Sequence, residues 1–426
     1  MRFHRAELWI LAGASGWFGP HLQAADPQRL WLTATAQADF ERVERAQPVS
    51  LPDAARCQQS QAALLSVALP PEAAPILFRK AYCTLAAAAI TRRSEDFQQA
   101  AAQLELALHA WPEHEASHRP RLAPGPAPSP LRVALSIARL EAEPDAGSFE
   151  AARKDLDSAL NPPVCSAQLM DDNECRAILA AGRLWLGWID LHQDRVDQAR
   201  LDLSALPASG WSHWAAARQA FHNRDYAQAA ARDQQAVDAW DHPQIEPANS
   251  VADRLAPQAD RAQVLTGWGG DRLLSGDLAG AMTTLSAAIK LSEDPARALF
   301  LRACAEQRSG RTDAALADLS LASRTAFAHA QNLASGEAHL YRGILLYRRK
   351  DYARAEDEFS SALNFEIPAG LRADALAWRH LSAVTGGACG ASRTQLEQSL
   401  TAVSPYFPKD EAHAAASACP LTGSGA

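Results

Sequence analysis

The sequence has no C-x-x-C pair, no G-x-x-x-x-G-K-[ST] and no G-x-S-x-G. The first absence argues against structural zinc and thioredoxin-like redox chemistry. The others remove the usual phosphate cradle and the serine nucleophile elbow. Gly267-Trp268-Gly269-Gly270 is glycine-rich, but no strand precedes it, and close helix packing explains it better than phosphate binding. Positive charge is not in surplus either. The formal net charge of −8 argues against a nucleic-acid partner, because such binding draws its affinity from neutralised phosphates. No stretch beyond the first residues reaches the roughly 18 apolar residues of a stable membrane span. Nothing calls for a cofactor.

What is there instead is alanine. Apolar residues make up 48% of the chain and charged residues 21%; alanine dominates the apolar set and β-branched residues are sparse, a composition that favours closely packed helices. The N-terminus reads as a secretory leader over 1–24. Arg2 and Arg5 precede an apolar stretch from Leu8 to Gly19, and small residues lead into Ala25-Asp26-Pro27. A periplasmic or secreted location follows from that reading; an amphipathic first helix of a cytoplasmic protein is the alternative. The seven cysteines support export if paired locally as Cys57 with Cys83, Cys165 with Cys175 and Cys389 with Cys419, leaving Cys304 in a helical segment. Buried reduced thiols are the competing reading.

The most regular segment, Gly336 to Phe365, places Tyr341, Gly343 and Leu346 on a first helix. Lys350-Asp351 stand in a turn, and Tyr352, Ala355, Phe359 and Ala362 on a second helix. Spacings of three and four make one apolar stripe per helix. The second-helix pattern recurs as Phe97/Ala100/Leu104/Ala107, Phe149/Ala152/Leu156/Ala159, Val196/Ala199/Leu203/Leu206, Tyr226/Ala229/Asp233/Ala236, Leu278/Ala281/Leu285/Ala288 and Thr312/Ala315/Leu319/Ala322. Small residues precede it in most copies, at Ala88, Gly187, Ala217, Gly269, Ala303 and Gly343; a small side chain is needed where two helices cross closely.

These residues resemble the tetratricopeptide repeat, over most of residues 75–365 and most clearly over 262–291, 296–325 and 336–365. Only Ala281 to Ala315 keeps the family's period of about 34 residues, so inserts interrupt the array. The resemblance implies an all-α, right-handed superhelical solenoid of antiparallel helix pairs. It divides into an N-terminal helical region with one hairpin (25–111), a proline-rich loop (112–131), degenerate helices (132–240), a second loop (241–258), three clear repeats (259–365) and a C-terminal cap and tail (366–426). It also implies a non-catalytic scaffold or adaptor holding a protein or peptide partner in its concave groove.

Three groups of residues are candidates for a site. Phe300 with Arg302, Tyr341 with Arg342 and Trp378 with Arg379 stand on first helices, which line the concave face in the family this chain resembles. They would suit an acidic segment. An arginine before the small residue that bonds between the helices is the structural reading of the same pattern. Groove positions carry Thr266, Gly270, Phe300, Cys304, Leu340 and Ile344 rather than the family's lysine and asparagine clamp. Trp185, Trp188, Trp211, Trp214 and Trp240 would line a small-ligand pocket in an accessory domain, or fill a repacked core. His109, Glu113, His114, Glu115 and His118 form the only metal-like cluster. His114 and His118 share a face if helical, but Pro112 and Pro120 bracket them and a solvated loop is expected.

Overall fold

The computed structural model describes residues 27–45, 48–118, 127–143, 146–165, 169–207, 209–241, 251–257, 259–405 and 407–419. The leader at 1–24 lies outside them. Helices and turns make up the described residues, and no strand occurs among them.

The chain divides into two units, residues 1–206 with 243–257, and residues 207–242 with 258–426. In the first, α1 (Pro27–Arg45) pairs with α2 (Leu51–Leu65), α3 (Ala73–Thr91) with α4 (Ser94–His118), α5 (Ser129–Ala142) with α6 (Ala146–Leu160), and α7 (Asp172–His192) with α8 (Val196–Ser204). The second opens with α9 (Gly210–His222) against α10 (Tyr226–Asp241). The insert then returns to the first unit as α11 (Val251–Leu255), packed on α7 and α3. The second unit continues with the pairs α12 (Arg261–Ser275) and α13 (Leu278–Leu291), α14 (Ala296–Arg308) and α15 (Thr312–Ala328), α16 (Asn332–Arg348) and α17 (Tyr352–Leu363), α18 (Ala369–Thr385) and α19 (Ala391–Ser399). A last helix, α20 (Lys409–Ala418), rests on α18 and α19.

The stripe seen in the sequence is the packing of each pair. A Cβ added to Gly343 would sit 2.6 Å from Cε1 of Phe359, and one added to Gly187 would sit 2.6 Å from Cγ of Leu203. The small residue of the first helix is therefore the seat of the large residue of the second. Ala355, Phe359 and Ala362 are all fully buried. Because each pair alone has a thin core, stacking on the next pair supplies the rest.

Six of the turns inside the pairs share one geometry. Arg92, Asp194, Arg224, Gly276, Gly310 and Lys350 each have φ between 55° and 93°. In several of them the following N–H reaches back to a carbonyl five residues earlier, as from Asp225 to Ala220 at 2.9 Å and from Asp351 to Leu346 at 3.0 Å. This is the helix ending that satisfies orphan carbonyls through one left-handed residue.

Three features depart from expectation. The helix α4 runs through Pro112 to His118, so the first part of the expected loop is helical; Trp111, only 2% exposed, anchors it at that point. The second expected loop contains α11, because Val251, Ala252 and Leu255 are buried and the Trp185 indole N–H donates to the Leu255 carbonyl at 2.7 Å. Finally, α3 is long and apolar enough to cross a membrane by length and composition. It is the buried centre of its unit, and it carries Arg79 and Lys80 midway.

Candidate functional site

The first helices of the second unit's last pairs form a cleft of about 600 Å³. Its floor is apolar: Cys304 on α14, Leu340, Tyr341 and Ile344 on α16, Leu371 and Trp378 on α18. Positions three, four and seven apart share a helical face, so one face of each first helix reaches the same surface. Arg348 and Asp374 give its margin one charge of each sign. Ser404 and Phe407, from the segment between α19 and α20, close one side. Phe407 is buried and meets Trp378 edge-on, with ring centroids 5.2 Å apart. Ser404 donates its N–H to Asp374 Oδ1 at 2.8 Å.

Burial governs the electrostatics of this surface. It pushes the Cys304 thiol up to about 11, against the weaker pull of Arg297 and Arg308. The same cause raises the Tyr341 phenol. At neutral pH both stay protonated, so the floor presents neutral groups. On the far side of α18, burial and then Arg379 hold His380 below the ordinary imidazole range.

The aromatic and basic residues singled out from the sequence separate. Tyr341 and Trp378 line the cleft, and Phe300 packs edge-on against Tyr341 with centroids 4.9 Å apart. The arginines turn inward. Arg302 makes a fork with Asp318, Nε to Oδ2 at 2.6 Å and Nη2 to Oδ1 at 2.8 Å, and also reaches Ser286. Arg342 pairs with Glu358 at 3.0 Å. Each arginine precedes the small residue of its first helix, and each acid precedes the large residue of the second. These ion pairs therefore fasten the helices of one pair together. Arg379 is half-buried on α18.

The tryptophans also separate. Trp185 and Trp188 touch within the first unit, and Trp211, Trp214 and Trp240 touch within the second. Each set fills helix junctions: a Cβ on Gly210 would strike the Trp240 ring. Of the metal-like cluster, His109 bonds the Glu105 carbonyl through Nδ1 at 2.7 Å. His114-Glu115-Ala116-Ser117-His118 has the H-E-x-x-H spacing, and the backbone there is helical, against the expected loop. The side chains of 113–118 lie outside the described residues. Among the described residues no group of three or more His, Cys, Asp and Glu is placed to hold a metal.

The cysteines come together as Cys57–Cys83, Cys165–Cys175 and Cys389–Cys419, with Cα–Cα distances of 5.9, 6.1 and 5.6 Å. Cys304 is unpaired.

Sequence reasoning missed Leu371, Asp374 and Phe407 as cleft residues. The first two continue the face of Trp378 at helical spacing and were within reach of the periodicity argument. Phe407 has no such signal, because it arrives from outside any regular helix.

No protein-family model matches the chain, and no curated protein matches it. Among solved structures, the chain is similar to a tetratricopeptide repeat protein from Parabacteroides merdae, with 14% identity, 70% of this chain and 93% of the other covered, and a TM-score of 0.36. It is similar to yeast Tom70 at 11% identity, 88% and 78% coverage and a TM-score of 0.38. It is also similar to human IFIT1, solved with PPP-AAAA, at 10% identity, 89% and 84% coverage and a TM-score of 0.38. At such scores these likenesses carry no argument about a partner, and the case for tetratricopeptide-like helix pairs rests on the crossings and turns described above.

Proposed function

We propose that the second unit is a non-catalytic scaffold that holds a short, extended, apolar stretch of another polypeptide in the cleft over α14, α16 and α18. One observation carries this reading. The cleft floor is built from Cys304, Leu340, Ile344, Leu371 and Trp378, with single charges of opposite sign at its margin. Such a surface suits aliphatic or aromatic side chains of a bound segment, with Arg348 and Gln307 at the lining to meet its backbone carbonyls and amides. It suits an acidic tail less well, because Arg302 and Arg342 are spent inside their helix pairs.

The chain acts in an oxidising compartment, reached through the leader at 1–24. The three local cysteine pairs support that location. Non-reducing peptide mapping of protein from its native source should return the three cross-linked peptides. Freely alkylated thiols at these positions would remove the case for export.

Selection of a phage-displayed random peptide library on the full chain tests the binding reading. Selected peptides should be rich in aliphatic and aromatic residues. Their affinity should fall at least tenfold, about 1.4 kcal/mol, on Ile344→Asp and stay unchanged on Leu201→Asp, an exposed control in the first unit. Equal affinity for both variants would defeat the proposal.

A further inference from the structure

The segment between α19 and α20 is a wall of the cleft, yet it has little helix-pair packing of its own. Its attachment is specific. Phe407 inserts against Trp378, Ser404 bonds Asp374, Tyr347 donates its hydroxyl proton to Glu411 at 2.8 Å, and Arg393 donates to the Cys419 carbonyl at 2.8 Å. Ala412 and Ala416 bury one face of α20. The remaining tie is covalent: Cys389, in the turn after α18, is joined to Cys419, at the end of α20, across 30 residues. That loop contains α19, both wall residues and the whole of α20.

We infer that the Cys389–Cys419 disulfide is a redox latch on the peptide cleft, keeping the two wall residues Ser404 and Phe407 in place when oxidised and releasing them when reduced. The inference rests on the cleft being the binding site. Cross-linking a loop of this length removes much of the freedom of the unfolded chain, and the buried face of α20 is only Ala412 and Ala416, flanked by Phe407 and Cys419, so the tie carries much of the docking. Reduction is chemically open. Cys389 is half-exposed in a glycine-rich turn while Cys419 is buried, so a dithiol reductant attacks the Cys389 sulfur. A mixed disulfide forms as the Cys389–Cys419 bond breaks, and the Cys419 thiolate leaves and takes up a proton. The second thiol of the reductant then closes its own disulfide, and Cys389 leaves as thiolate to be protonated in turn. Two electrons and two protons pass to the protein and the reductant ends oxidised. With the wall gone, Trp378 loses its edge-on contact with Phe407 and the cleft opens toward solvent at α18.

The double variant Cys389→Ser/Cys419→Ser isolates this latch from the two disulfides of the first unit. Hydrogen exchange of the full chain should show amides of 391–418 exchanging at least tenfold faster, with α14 to α17 unchanged. A peptide selected on the wild-type chain should bind at least tenfold more weakly. Phe407→Ala, which keeps the disulfide and removes the wall side chain, should weaken the same peptide with little change in exchange over α20. Unchanged exchange in the double variant overturns the latch, and so does faster exchange with full peptide affinity. A wild-type chain that selects no peptide overturns the binding reading first, and the latch falls with it.

Discussion

The pair α16/α17 and the pair α9/α10 use the same register with opposite chemistry. At the crossing of the first, Phe359 is fully buried on Gly343. At the same place in the second stands Asp233, 2% exposed. Its neighbour across the stack, Asp271 on α12, is also buried, and its register is filled by Leu345 on α16 and Ala305 on α14. Two positions that are apolar in the pairs α14/α15 and α16/α17 have thus become carboxylates facing each other. Burial, and then the charge of Asp271, raise Asp233 well above the ordinary range; burial raises Asp271 to about 6. Arg218 on α9 opposes both shifts, while Arg272 on α12 is taken up with Thr284 and the Trp268 ring. Burial therefore favours the protonated form of both carboxyls. An apolar slot in such a repeat is a demand for neutrality and volume, which a protonated acid pair meets.

The largest expected effect breaks the apolar side of this comparison. Phe359→Ala should cost about 3–5 kcal/mol, the range for truncating a buried aromatic, read as a fall in the denaturation midpoint of the second unit. A loss below about 1 kcal/mol would mean that the neighbours collapse into the space.

Next in size is the seat itself. Gly343→Ala forces the Phe359 ring aside and should cost about 1–3 kcal/mol. The pair α14/α15 carries Ala303 under Leu319, both buried. The double variant Gly343→Ala/Phe359→Leu reproduces that arrangement and should recover most of the loss; if it is no better than Gly343→Ala alone, the small residue is not matched to the large one above it.

The acid pair gives a pH signature. Both folded values are raised, so the stabilising protonated form is fully present below about pH 4, the unfolded range of aspartate. Stability is then lost as pH rises through the Asp271 value of about 6. Urea unfolding of the wild type and of Asp233→Leu/Asp271→Leu across pH 4 to 7 should show the wild type losing at least about 1 kcal/mol relative to the variant over that window. Parallel curves would mean that the pair is solvated and ordinary.

Much of the architecture was legible in the sequence because it is local. A small residue, then a large one sixteen positions later on the facing helix, is written within a single pair, and Gly343 with Phe359 or Gly269 with Leu285 could be read before any coordinates. Direction across pairs was not legible. Within a pair, the sequence offered Arg302 and Arg342 both a groove role and a bond between the helices; the structure has the second, toward Asp318 and Glu358, and spacing alone did not choose because it does not fix rotamers. Asp233 was counted as one more copy of the stripe, and its partner Asp271 lies on the next pair beyond an insert. Phe407 is further removed still, since it reaches Trp378 from a segment with no helical period. The H-E-x-x-H run shows the converse: two histidines one turn apart are readable from spacing, whereas a third ligand is a property of the fold.

The smallest effect concerns the turn inside the α9/α10 pair, set against the turns inside its neighbours. At α9/α10 the left-handed position is Arg224, with φ of 62°, whereas α12/α13 and α14/α15 place Gly276 and Gly310 there, with φ of 93° and 79°. An L side chain in that region carries a steric penalty of roughly 1–2 kcal/mol. Glycine removes it but has more freedom to lose from the unfolded chain, which offsets part of the gain. Arg224→Gly keeps both backbone bonds of the turn, the N–H of residue 224 to the Phe221 carbonyl and that of Asp225 to Ala220, each at 2.9 Å. The net expectation is a stabilisation of about 0.5–1 kcal/mol, visible as a higher urea midpoint with an unchanged slope. Gly310→Ala, the reverse change at the equivalent turn, should lower the midpoint by a similar amount. If Arg224→Gly destabilises instead, the Arg224 side chain makes a contribution at the α9/α10 turn that exceeds the cost of its backbone conformation, and the turns are not interchangeable.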